Sequence, residues 1–178
     1  MITIASALQR IRLLAGDMQK TKYSDYEIRA ALDAGVDMLC DLLRKYASPE
    51  LVRRTKLELT NGRVMLPEGF LGAVGAEDDN GCPLFANYEA KEIPRKHYRI
   101  EGDYLIAGEE KVNLVYHKRP IGADDIDLPA GMVNYLGKGC ANLLNGEYDA
   151  ATAAFENAVK LYGGDKRGAI DDLPMWGG

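Results

Sequence analysis

Three cysteines, Cys40, Cys82 and Cys140, and two histidines, His97 and His117, are the side chains of this chain best suited to nucleophilic or metal chemistry. A thiol nucleophile needs a base within reach, and a structural zinc needs four such ligands at short, regular spacing. The sequence offers neither pattern. Cys40 and Cys140 fall on apolar faces of predicted helices, where a buried cysteine behaves as a small hydrophobe. Cys82 stands beside Pro83 in a predicted strand, His97 in the basic stretch Arg95-Lys96-His97, and His117 on a strand face. The acidic clusters Glu77-Asp78-Asp79 and Asp124-Asp125-Asp127 carry ligands suited to Ca2+. Neither has the sixth-position glycine and closing glutamate of an EF-hand loop, so both read as solvated turns. No G-x-G-x-x-G or Walker pattern opens a helix. The sequence therefore predicts no catalytic residue, no cofactor-binding residue and no metal ligand, and function has to reside in surfaces.

Composition narrows those surfaces. The chain has 178 residues, 47% of them hydrophobic, a formal net charge of −5 and a pI near 5.1. That balance argues against a protein held to nucleic acid by a basic face. No stretch is long and apolar enough to span a bilayer, which predicts no membrane partner. Gln9, Arg10 and Arg12 interrupt any signal-peptide core. An odd number of widely spaced cysteines reads as reduced thiols in a cytoplasmic protein.

The elements that position these surfaces come in an unusual order. Thr3 is a predicted N-cap, and Ile4, Leu8, Ile11 and Ala15 repeat at helical spacing up to Gly16. Ser24 and Glu27 form a predicted capping box, in which each side chain satisfies a backbone N–H of the helix start. Ile28, Leu32, Val36, Leu39 and Leu43 follow on one face, and Ser48-Pro49 predicts a short helical turn. The period then changes to two. Lys56–Thr60, the turn pair Asn61-Gly62 and Arg63–Leu66 predict a hairpin. A second hairpin is predicted through Asn80-Gly81. A meander is predicted over 98–118, with turns at Glu101-Gly102-Asp103 and Gly108-Glu109-Glu110. Seven short strands suit a small sandwich or curled sheet.

Residues 120–128 read as an acidic connector. A helix from Pro129 carries Met132, Val133, Leu136, Cys140 and Leu143, and Asn145-Gly146 ends it. The next helix presents Ala151, Phe155, Ala158 and Val159 and stops at Gly163-Gly164. Its Ala/Phe/Ala spacing is that of a close-packed tetratricopeptide-like pair, but one unit does not make a solenoid. The glycines at 131, 137 and 139 fit close helix packing or close approach of another subunit. The expected fold class is α+β: a helical bundle of two N-terminal and two C-terminal helices (1–53 and 121–164) with an inserted small antiparallel β-domain (54–120). Residues 165–178 are expected to form an extended tail. The tail ends in Leu173-Pro174-Met175-Trp176, and Trp176 is the only tryptophan. Tryptophan is enriched in buried interface anchors, so Leu173, Met175 and Trp176 are candidate partner-docking residues.

Four segments together resemble one family. They are Tyr23-Ser24-Asp25-Tyr26-Glu27-Ile28 opening a long helix, Leu66-Pro67-Glu68-Gly69-Phe70 entering the strands, Tyr98–Ile106, and Val115–Pro120 followed by Asp127-Leu128-Pro129 and a helix. Their order and spacing resemble the head-to-tail adaptor proteins of tailed bacteriophages, of the type with a β-domain inserted in a helical bundle. The resemblance covers roughly 20–162. It implies a structural virion protein with no catalysis and no cofactor, made in the host bacterial cytoplasm and located in the neck of the particle. It also implies a ring of identical subunits, usually a dodecamer, beneath the portal protein. Such a ring extends the DNA channel without binding DNA specifically and docks tail or nozzle proteins. Another neck or tail-completion protein, or a small helical protein-binding module, is the alternative reading.

Overall fold

The computed structural model describes residues 2–46 and 48–162. These divide into two units, residues 2–51 with 119–162, and residues 52–118.

The first unit holds the four α-helices, α1 (Ile4–Leu14), α2 (Asp25–Lys45), α3 (Ala130–Leu144) and α4 (Tyr148–Tyr162). Thr3 caps α1, its side chain accepting from the Ser6 N–H at 3.2 Å. The Ser24/Glu27 capping box at α2 is complete in both directions. The helix pairs from the two chain segments pack together, α3 touching α1, α2 and α4. Their shared core includes Ile11, Leu32, Leu39, Leu43, Met132, Leu136 and Phe155, all fully buried. The predicted glycine packing holds at two of three positions. Gly139 lies under the Phe155 ring, where an added Cβ would overlap its edge, and Gly137 faces Arg10 and Leu14 of α1.

The same unit contains a sheet that the sequence does not announce. β1 (Ile2–Thr3) pairs antiparallel with β9 (Asp125–Ile126). The 120–128 segment is thus no mere connector. Ile126 is fully buried, and the Ile4 N–H donates to the Asp124 carbonyl at 2.9 Å. Two-residue strands are too short to leave a period in the sequence.

The second unit overturns the expected fold class. It is not a small antiparallel insert in a helical bundle but a seven-stranded mixed sheet, which makes the protein a β-rich α+β fold. Its strands are β2 (Val52–Glu58), β3 (Arg63–Met65), β4 (Phe70–Glu77), β5 (Pro83–Ala86), β6 (His97–Glu101), β7 (Tyr104–Ala107) and β8 (Lys111–Lys118), in the order β2-β8-β4-β5-β6-β7-β3. The meander over 98–118 is also corrected. After β7 the chain crosses away, and β8 takes a central place between β2 and β4. β5 and β6 run parallel, so the strand after the second hairpin does not simply fold back. The predicted 56–66 hairpin does not form as a ladder: β2 pairs with β8 and β3 with β7, at opposite ends of the strand order, and Thr60, in the turn that joins them, bridges only to Arg63. One face of the sheet encloses a core of Leu84, Tyr98, Leu105, Val112, Leu114 and Tyr116.

Candidate functional site

The residues singled out for chemistry are scattered. Cys40 on α2 and Cys140 on α3 are buried, and burial pushes each thiol up to about 12, which removes any thiolate character at neutral pH. Cys82 is exposed in the turn before β5 rather than in a strand. The His97 Nδ1 lies 2.9 Å from the Arg95 carbonyl, and His117 is half-buried on β8. Among the described residues no group of three or more His, Cys, Asp or Glu side chains could hold a metal. The acidic clusters serve the fold locally. Glu77 pairs with Arg54 at 3.1 Å, Asp79 pairs with Lys56, and the Asp78 carboxylate accepts from the Asn80 and Cys82 N–H groups at 2.8 Å. In the second cluster, the Asp125 carbonyl accepts from the Gly122 N–H at 2.9 Å. Leu173, Met175 and Trp176 lie outside the described residues.

The most developed polar cluster was not singled out in the sequence. Between α1 and α2 the Asp17 carboxylate is buried and accepts from the Thr21 and Lys22 N–H groups at 2.8 Å and the Tyr23 N–H at 3.0 Å. Arg12, also buried, bridges Asp17 and Asp25 at 2.6 Å each and donates to the Tyr23 carbonyl at 3.0 Å. The Tyr23 hydroxyl lies 2.9 Å from both the Leu144 carbonyl and Asn145 Oδ1, and Lys22 Nζ reaches the same Asn145 oxygen at 2.9 Å. This cluster ties the α1–α2 connection to the end of α3. Every acceptor position of Asp17 is filled from within the chain, so its role is to fix the helices, not to bind a ligand.

The cluster has a pH signature. Hydrogen bonds from the backbone, chiefly from Lys22, hold the Asp17 carboxyl below its usual value, and burial only partly opposes them. Asp25 is lowered by Arg12, and Glu27 by Ser24. A carboxyl with a depressed folded-state pKa stabilises the fold above its unfolded value, near about 3.9, and loses that contribution as pH falls through the folded value. Wild-type melting temperature should therefore drop steeply below about pH 4. The gap between wild type and Asp17→Asn should narrow over the same window. A constant gap from pH 7 to pH 2 would show that Asp17 is not ionised in the fold.

The remaining candidate surfaces are apolar side chains left in solvent. On the helical unit Leu13, Met18, Tyr26, Tyr148 and Leu161 are exposed, Tyr26 to 82% and Leu161 to 63%. Exposed apolar side chains stand on both units, and a folded surface commonly carries such residues singly. On the sheet unit Met65, Phe85 and Tyr88 are exposed. An open groove of about 520 Å3 runs beside the Leu66–Phe70 turn, lined by Met65, Pro67, Phe70 and Tyr104 among others. Set beside known proteins, the chain matches no family model and no curated protein.

Proposed function

We propose that this chain is a structural virion protein, a head-to-tail adaptor subunit that forms a ring under a phage portal, extends the DNA channel and docks tail proteins. One observation carries the reading. Helix pairs from the two ends of the described chain close on each other into one unit with its own core, while the intervening residues form a separate sheet unit. That arrangement, with exposed apolar side chains on the helices, suits a subunit built to pack side by side and present a second surface. Net charge adds weak support, because a channel wall that repels phosphate does not hold back DNA in transit. No step of this function uses catalysis, a cofactor or a metal. The site of action is the virion neck.

Negative-stain electron microscopy of the purified chain, alone and with a portal protein, tests the reading. Closed rings with a central channel are the expected result. Leu13→Asp and Leu161→Asp should suppress rings while leaving the thermal melt unchanged, since surface substitutions shift stability by only about 0.5 kcal/mol. A chain that stays monomeric with and without the portal would overturn the proposal.

A further inference from the structure

The outer face of the β6-β7-β3 edge carries side chains in an ordered pattern. Across the strands Arg63, Ile106 and Arg99 form one row, and Met65, Tyr104 and Glu101 form the next. The opposite face holds Val64, Leu105 and Ile100 against the core, so alternation turns both rows outward. Arg63 is exposed, lies 3.9 Å over the Tyr104 ring and makes no ion pair among the described residues. Arg99 donates to the Ala90 carbonyl at 2.7 Å and to Glu101 at 3.2 Å, and its buried Nε has no acceptor among the described residues. Beyond the second row lies the groove at Met65 and Tyr104, with Glu68 and Asp103 among its lining residues. Along the strand direction the surface therefore runs from cations to an apolar groove edged by carboxylates.

The end of the chain has the complementary order. Ile170-Asp171-Asp172 precedes Leu173-Pro174-Met175-Trp176. The four steps from Asp172 to Trp176, if extended, span about 13 Å, enough to carry an indole from the Arg63–Arg99 row past the next row to the groove. The carboxylates at the groove disfavour the reverse register, because they would face Asp171 and Asp172. The ten residues 163–172 let the segment reach at most about 35 Å beyond the end of α4.

We propose that the C-terminal segment 170–176 of one copy docks on this sheet face of a neighbouring copy. Asp171 and Asp172 pair with Arg63 and Arg99, and Trp176 enters the groove beside Met65 and Tyr104. The inference rests on the adaptor reading only for the neighbour that supplies the segment.

Full-length chains test it, with Trp176 as the sole tryptophan emitter. Wild-type emission should move to shorter wavelength as concentration rises. Arg63→Glu, which changes an exposed side chain, should raise the midpoint concentration about tenfold or more with an unchanged melt. Asp171→Lys with Arg63→Glu should recover part of that loss, as a direct pair requires. A face-defective Arg63→Glu chain, whose Trp176 is intact, is then mixed with a Trp176→Phe chain, whose face is intact. Emission of the mixture should turn blue, because the only tryptophan must dock on the other chain. Blue wild-type emission at every dilution with a red mixture would place the tail on its own chain and overturn the neighbour assignment. Blue emission untouched by Arg63→Glu would overturn the face. Rings in the microscope with water-like Trp176 emission would sink this inference alone. Complementing blue emission without rings would sink the ring alone.

Discussion

Replacing Phe155 by alanine should cost about 3–5 kcal/mol, the largest loss expected from any single truncation in the helical unit. The ring is fully buried on α4 and lies against Gly139 of α3. It also approaches Gly35 of α2, where an added Cβ would come within 3.3 Å of its Cζ. The two glycines let three helices close around one aromatic side chain, and removing it leaves a void that backbone on two sides cannot fill. Thermal melts should fall by about 6–20 °C, against a negligible change for the exposed Leu161→Ala. A sign reversal makes the test sharper. In wild type, Gly139→Ala should destabilise by about 1–3 kcal/mol, because the new methyl overlaps the ring edge. In the Phe155→Ala background the same change should be neutral or stabilising, since the overlap is gone and alanine favours a helix by about 1 kcal/mol over glycine. Additive losses in the double variant would show that Gly139 and Phe155 do not share this contact.

That contact was half legible in the sequence, and the reason separates what was read from what was missed. Helices announce themselves locally. The apolar stripe from Ile28 to Leu43 and the Ser24/Glu27 box lie within a few turns of each other, and both are realised in α2. The Ala/Phe/Ala spacing around Phe155 implied a close helix partner. The partner residue, Gly139, was among three glycines noted for packing. Turns are local as well. Asn61-Gly62, Asn80-Gly81 and Glu101-Gly102-Asp103 all sit where the chain reverses, with Gly62, Gly81 and Gly102 at positive φ.

Sheet order is not local, and there the reading failed. A turn residue says that a strand ends, not which strand the next one joins. The turn at Gly108-Glu109-Glu110 puts β8 in a meander after β7, whereas β8 pairs with β2 and β4. Its run Val112-Asn113-Leu114-Val115-Tyr116 has four apolar residues of five, more than strict alternation allows, which marks a strand covered on both faces, and all four are buried. The parallel β5–β6 pair left no comparable trace, since the 87–96 crossover holds no regular element. The Arg12–Asp17 cluster was invisible for a related reason. An arginine and an aspartate five residues apart read as surface charge, and only the fold brings the backbone of Thr21, Lys22 and Tyr23 around the carboxylate.

The crossover that the sequence hid has its own point of failure, at Gly108. This glycine follows β7, and its N–H donates to the His97 carbonyl at 3.2 Å. An added Cβ would overlap the Pro94 carbonyl oxygen and come within 2.6 Å of its carbon and 2.8 Å of the Arg95 nitrogen. All three obstacles are backbone, so no side chain can turn aside to make room. The Pro94–Arg95 peptide would have to move, and it carries the entry to β6, where the His97 N–H donates to Pro94 and the Phe85 N–H to Lys96. Gly108→Ala should therefore destabilise the sheet unit by about 1–3 kcal/mol or more. The loss should appear first as faster amide exchange in β5, β6 and β7. Local opening follows the elements whose hydrogen bonds are strained, so the α2 and α4 amides should keep their protection at low denaturant. Gly102→Ala serves as the comparison, because its Cβ would meet nothing within 4 Å, and its cost should come from positive φ alone. Unchanged exchange across β5–β7 in Gly108→Ala would show that the crossover is not held against this glycine. Uniform acceleration through the helices as well would show that the sheet unit has no stability of its own to lose.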